Sequence, residues 1–145
     1  MKYVIRFLVI VLFFGFTNNS VFAQMEEEQG HIFVVTTWKT VMPEGGSAAE
    51  RDSLLTELFN ARKSNPKVLS QLELQHHWGN DSRDWVVVTE YASMADIDEA
   101  DKMNQELDRK KWPDDKKRAK FWKAIGKYFD YHSDEIYMEM PELRK

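Results

Sequence analysis

The 145-residue sequence contains no cysteine. This absence excludes disulfide bonds, thiolate metal ligands, thiol nucleophiles and a lipid-attachment cysteine. The serine-nucleophile motif G-x-S-x-G, a phosphate-binding loop and a glycine-rich dinucleotide fingerprint are also missing, so serine-based hydrolysis and nucleotide chemistry have no support. The sequence has no internal repeats, low-complexity segments or internal linker, which favours a single folded unit.

The first 23 residues have the pattern of a secretory signal peptide. Lys2 and Arg6 form a basic start, residues 8–16 form an apolar run, and Val21 and Ala23 are small residues placed for cleavage. The run is shorter than the ~20 residues of a membrane-spanning helix. We therefore expect cleavage before Gln24 and a periplasmic or secreted product without a membrane span. An uncleaved membrane anchor is the alternative.

Cleavage would leave 122 of the 145 residues, enough for one domain with its own core. This size agrees with the missing cysteines, since exported domains use disulfides when their cores are too small. We predict a flexible leader at 24–30 and one domain at 31–145. The signal takes two of the 20 basic residues and none of the 24 acidic ones, so the mature net charge is −6. This mild acidity argues against nucleic acid as a partner.

Alternation of apolar residues predicts strands at 31–40, 67–78, 85–91 and 133–140. The capping box Ser47-x-x-Glu50 predicts a helix that ends before Pro66, and Ser93 and Pro113 begin two more helices. The order is βαββα(α)β. It predicts a ferredoxin-like α+β fold with an extra helix before the last strand. Right-handed crossovers would place the helices on one face of a four-stranded antiparallel sheet.

The segment WVVVTEYASMADID, residues 85–98, joins a run of small apolar residues, a glutamate and an aromatic residue to a capped helix. It resembles the third strand and following helix of the dimeric α/β-barrel superfamily, which includes antibiotic-biosynthesis-type monooxygenases. The resemblance extends over most of the mature chain in element order. It implies a homodimer whose two sheets face each other, with a cavity on the side away from the helices. It also implies, for some relatives, cofactor-independent oxygenation of an activated aromatic substrate.

The stretch QLELQHHWGNDSRDWVVVTEY, residues 71–91, predicts a β-hairpin around the turn-forming residues 79–82. A loop of four or six residues would pair even positions on its first strand with odd positions on its second. The predicted core face then holds Leu72, Leu74, His76, Trp78, Trp85, Val87, Thr89 and Tyr91. A register slip of one residue would reverse this pairing.

The uncovered face would carry the candidate ligand-pocket residues. These are His77, Glu73, Glu90, His31 and Tyr137. A few polar groups converging on a mostly apolar surface are typical of a small-ligand site, and in an enzyme they would serve as base or hydrogen-bond groups. A wet dimer interface would have the same sequence pattern.

Metal and haem are not predicted. His76 and His77 are neighbours on one strand and point to opposite faces, so they cannot chelate one ion together. Relatives that degrade haem use an Asn on the first strand and a Trp and a His on the second helix, and these residues are missing here. His132 could be an axial haem ligand, but we interpret it as a helix C-terminal residue favoured by the helix dipole.

The third helix carries four lysines on the face opposite its aromatic stripe, Lys116, Lys120, Lys123 and Lys127. They form either a solvated outer face or a docking surface for an acidic glycan, lipid or protein. Trp112 is interpreted as packing at the helix junction, with a sugar-stacking platform as the alternative.

Together these patterns predict an exported domain that binds a small, partly apolar molecule in a sheet-face cavity of a homodimer. Two alternatives stay open. One is a cofactor-independent monooxygenase-like or isomerase-like enzyme that uses the same cavity. The other is a structural or interaction domain whose cavity is filled by side chains.

Overall fold

The computed structural model describes residues 30–144. The predicted signal peptide and residues 24–29 of the leader lie outside the described residues. The elements are β1 (Ile32–Thr40), α1 (Ala48–Arg62), β2 (Ser70–Gln75), β3 (Asp84–Tyr91), α2 (Met94–Lys111), α3 (Asp115–Gly126) and β4 (Phe129–Met138), followed by a short 3-10 turn (Pro141–Leu143).

The four strands form one antiparallel sheet in the order β2-β3-β1-β4. The strand order and the three helices confirm the predicted ferredoxin-like α+β fold, including the extra helix α3 before the last strand. Across residues 30–144, no helix is long and apolar enough to cross a membrane.

Side-chain caps fix the starts of two helices. The Ser47 hydroxyl accepts a hydrogen bond from the Glu50 backbone N–H (3.1 Å), and the Asp114 carboxylate accepts one from the Lys117 N–H (2.9 Å). Each bond satisfies an N–H group that has no partner within its own helix. The predicted helix starts are therefore correct to within a residue or two.

The core lies between the helices and the sheet. Leu55 and Leu58 of α1 pack with Phe121 and Ile125 of α3. Trp112, between α2 and α3, stacks on Phe121 with ring centroids 4.1 Å apart. This contact confirms that Trp112 packs at the helix junction.

The predicted register of β2 against β3 is wrong by one residue. Leu72 pairs with Val88, Leu74 with Val86, and Gln75 with Trp85, so even positions oppose even ones. Residues 76–84 separate the last pair, an odd number where a four- or six-residue loop was expected. The longer loop is stabilised by Asp81, which accepts hydrogen bonds from the Arg83 N–H and from Lys39 Nζ, both at 3.0 Å.

This register moves Leu72 and Leu74 out of the predicted core. They lie on the open face of the sheet with Val86 and Val88, and their exposed fractions are 56% and 44%. Trp78, also predicted to be buried, is 92% exposed in the β2–β3 loop. His76 lies in the same loop, because β2 ends at Gln75. The faces predicted for β3 are correct.

The last strand begins four residues earlier than predicted. β4 starts at Phe129, because α3 ends at Gly126, a residue type that often terminates helices. The interpretation of His132 as a helix C-terminal residue is therefore wrong. His132 lies within β4 and pairs with Trp38.

Candidate functional site

A cavity of about 480 Å³ lies between the helices and the sheet. Its floor is formed by alternate residues of all four strands, including Gln71, Val87, Thr36 and His132. A depression of about 570 Å³ on the outer surface of α1 is lined mainly by polar residues, such as Asp52 and Asn60, and lacks aromatic walls. The helix-side cavity is therefore the stronger candidate for a ligand site.

Large aromatic and aliphatic side chains make most of the cavity wall. They are Trp38, Trp85, Tyr91, Trp122, Phe129, Phe59, Leu55, Leu58, Ile125, Val68 and Val87. Trp38 and Phe129 meet edge to face with centroids 5.3 Å apart. Such walls favour a flat, apolar ligand, since aromatic rings stack on one another or meet edge to face.

Polar groups interrupt this wall at a few points. Arg62 of α1 binds both carboxylate oxygens of Asp108 on α2, at 3.0 and 2.7 Å, and its guanidinium lies 5.3 Å from the Trp122 ring centroid. Burial raises the pKa of Tyr91, which stays neutral at neutral pH. Trp85 Nε1 is buried and has no hydrogen-bond partner within residues 30–144.

His31 and Glu90, two of the predicted pocket residues, are brought together on the open face. His31 Nδ1 lies 2.6 Å from Glu90 Oε1 in a hydrogen bond, and the Ser70 hydroxyl donates to the other oxygen of Glu90. The Ser70 hydroxyl and then His31 hold the pKa of Glu90 below its usual range. Glu90 is therefore a well-ordered carboxylate at neutral pH.

Tyr137 shares this open face but belongs to a separate contact. It pairs with Phe33, which in turn pairs with Glu90 on the next strand, so β1 lies between the two polar groups. The Tyr137 hydroxyl donates to the Glu135 carboxylate, and this bond raises the pKa of Tyr137.

Glu73 and His77 do not join the open face. Glu73 pairs with Val87 and so lies on the helix side, in a shallow depression of about 300 Å³ beside the cavity. Partial desolvation raises the pKa of its carboxyl. His77 is exposed in the β2–β3 loop. The ligand role of the five candidate residues stays a prediction, but the structure does not gather them at one point.

The sequence reasoning placed no polar residue of β4 in this cavity, yet His132 and Asp134 both line it. The available signal was Gly126 followed by the alternating residues 129–132, which together mark a helix end and an early strand start.

Within residues 30–144, no group of three or more His, Asp or Glu side chains is placed to hold a metal ion. Lys116, Lys120, Lys123 and Lys127 are all exposed, as predicted. The structure does not distinguish a solvated face from a docking surface.

No protein-family model and no curated protein matches the chain. Solved structures do match, and the likeness supports the ferredoxin-like fold. A protein from Caulobacter crescentus, provisionally described as an antibiotic biosynthesis monooxygenase, is 20% identical. The match covers 78% of this chain and 92% of that one, with a TM-score of 0.50.

Two further structures have the same fold. A nipsnap family protein of unknown function from Agrobacterium tumefaciens is 12% identical over 76% of this chain and 88% of that one, with a TM-score of 0.55. SnoaB, a cofactor-independent oxygenase from Streptomyces nogalater, is 9% identical over 80% of this chain and 99% of that one, with a TM-score of 0.51. The fold-level resemblance to antibiotic-biosynthesis-type monooxygenase domains is thus confirmed.

Proposed function

We propose that the protein binds a small, mainly apolar molecule in the cavity between its helices and its sheet. The supporting observation is a space of about 480 Å³ with aromatic walls and few polar groups. Small-molecule sites have volumes of ~300–1,000 Å³ and this kind of lining. The alternative of a cavity filled by side chains refers to the open face of the sheet, and it stays a prediction there.

This cavity lies on the helix side of the sheet, whereas the sequence predicts a cavity on the opposite face. The expected cavity lay on the open face and would exist only in a dimer, so it stays a prediction. The helix-side cavity lies within one chain. A ligand there contacts residues of β1, β3, β4 and α1 of the same chain.

Neighbouring residues of β3 allow a matched test. Val87 lines the cavity, and Val88 lies on the opposite face. Val87→Phe adds bulk to the cavity, and Val88→Phe adds the same bulk outside it. We expect the methyl ether of umbelliferone, a flat neutral probe, to quench tryptophan fluorescence saturably in the wild type and in Val88→Phe, with at least about tenfold weaker binding in Val87→Phe.

Circular dichroism controls for folding, because an added ring in a packed site costs ~1–3 kcal/mol. Equal binding by both folded variants would place the probe elsewhere and contradict the proposed site. A wild type without saturable binding would contradict the proposal itself.

A homodimer is part of the proposal. Leu72, Leu74 and Tyr137 are 56%, 44% and 51% exposed on the open face, beside half-buried Val35 and Val88. Contiguous apolar surface of this kind marks an interaction site. A second copy would cover this face with an identical one, as the resemblance implies.

An enzyme is the second candidate, and it is favoured by the structural likeness to a cofactor-independent oxygenase. In this alternative the cavity would hold an activated aromatic substrate, without metal or haem. Oxygen consumption on addition of such substrates tests the alternative, and a rate equal to that of buffer would reject it.

Export to the periplasm or medium remains part of the proposal and rests on residues 1–23.

A further inference from the structure

The β4 end of the cavity carries a compact polar group. Asp134 pairs across the sheet with Thr36, and His132 pairs with Trp38. The Thr36 hydroxyl donates to Asp134 Oδ1 at 2.6 Å, while His132 Nε2 lies 3.2 Å from Asp134 Oδ2. The His132 ring lies against the Trp38 ring with centroids 4.1 Å apart and planes inclined by 34°. The imidazole thus lies beside a carboxylate and an indole, and its side chain is 42% exposed.

Besides His132 and Asp134, the charged or titratable residues that line the cavity are Arg62 and Tyr91. On α1 the charge of Arg62 is balanced by Asp108 of α2. Tyr91 on β3 is a neutral phenol, because burial raises its pKa. The residues of α3 in the wall, Trp122, Ile125 and Gly126, carry no charge. His132 is therefore the imidazole of the wall, and Asp134 is the carboxylate beside it.

We propose that His132, supported by Asp134, accepts a proton from a weakly acidic hydroxyl group of the ligand. The ligand class is a flat, mainly apolar molecule with such a hydroxyl at one end. This inference rests on the proposed function, since it needs a ligand in the cavity.

The proton transfer is balanced within the site. The ligand O–H bond breaks and its electron pair stays on the oxygen, while a new N–H bond forms on the imidazole. The neutral imidazole takes the proton on the ring nitrogen that carries no hydrogen. Asp134 Oδ2 lies 3.2 Å from Nε2. The Asp134 carboxylate then balances the charge of the imidazolium ion.

The cavity also sets the orientation of the ligand. Its floor runs from Gln71 on the edge strand β2 to His132 on the edge strand β4. Neighbouring strands lie ~4.8 Å apart, so three spacings give a floor ~14 Å wide. A ligand whose acidic hydroxyl contacts His132 would extend its apolar body along the wall formed by Trp38 and Trp85.

Umbelliferone tests this inference, because its neutral and ionised forms absorb differently and its methyl ether has no acidic proton. The full chain is titrated with each probe, as wild type and as His132→Gln, Asp134→Asn and His76→Gln. His76 lies in the β2–β3 loop and does not line the cavity, so His76→Gln is the matched control. We expect the ionisation constant of umbelliferone to rise about tenfold on binding to the wild type and to His76→Gln.

In His132→Gln this rise should disappear, and in Asp134→Asn it should shrink, while both variants still bind the methyl ether. Umbelliferone that ionises equally in the wild type and His132→Gln, with the ether bound by both, would overturn the role of His132 but leave the cavity site intact. If neither probe binds to the wild type, the proposed function fails together with this inference.

Discussion

At the scale of single residues, Gly30 shows how closely the two ends of the domain approach each other. A Cβ atom at this position would lie 2.2 Å from the Glu139 carbonyl oxygen. The adjoining His31 accepts a hydrogen bond from the Glu139 N–H through its carbonyl (2.8 Å). A side chain at residue 30 would therefore have to move β1 away from Glu139.

We therefore expect Gly30→Ala to lower the free energy of unfolding by about 1–3 kcal/mol, the usual cost of overpacking. Urea unfolding followed by circular dichroism measures it. Gly126→Ala is the control, because nothing lies within 4 Å of its Cβ position, and it should be neutral or stabilising by up to about 1 kcal/mol. Equal stability of Gly30→Ala and the wild type would show that the chain ends separate without cost.

His132 shows what sequence reasoning cannot supply at this scale. Its role depends on whether residues 127–132 extend a helix or begin a strand. The spacing of the apolar residues Phe121, Trp122, Ile125 and Phe129 fits one face of a helix, so local periodicity places Phe129 in the helix. These residues form a strand because they pair with β1, beginning with Phe129 opposite Thr40. Such non-local pairing is invisible to local periodicity.

At the scale of elements, the order of strands and helices was predictable because each segment has its own periodicity and cap. The face presented by β2 was not. It depends on whether the loop before β3 contains an odd or an even number of residues, and one residue reverses every side chain. Among the contacts that stabilise the longer loop, the Lys39–Asp81 bond joins residues 42 positions apart, which local sequence patterns do not record. This is why the face predicted for Glu73 was wrong while the face predicted for Glu90 was right.

The corrected register leads to a prediction about the open face of the sheet. Leu74→Lys places a charge in the proposed interface and removes a leucine from both copies, a loss of about 3 kcal/mol that weakens association about 100-fold. Gln75→Lys, one residue further and on the other face, is the control and should leave the dimer unchanged.

Size-exclusion chromatography with light scattering at micromolar concentration is the measurement. A dimeric Leu74→Lys protein would show that the open face is not the interface. A monomeric wild type would reject the homodimer.

At the scale of the whole molecule, one sheet has two differently used faces. The helix side borders an aromatic cavity of about 480 Å³, while the open side exposes leucines and carries the hydrogen-bonded pair His31–Glu90. The ligand site that the sequence predicts on the open face stays a prediction, whereas the cavity lies on the helix side. The size of a cavity depends on the distance between the three helices and the sheet. The pattern of apolar residues in the sequence does not record this distance.

The central claim is that the helix-side cavity holds a natural ligand. The most direct measurement is untargeted mass spectrometry of the small molecules released by denaturation from natively purified protein, compared between the wild type, Val87→Phe and Val88→Phe. The account predicts one compound class near one equivalent per chain in the wild type and Val88→Phe, and its loss from Val87→Phe. The same class retained in equal amount by a folded Val87→Phe protein would contradict the account.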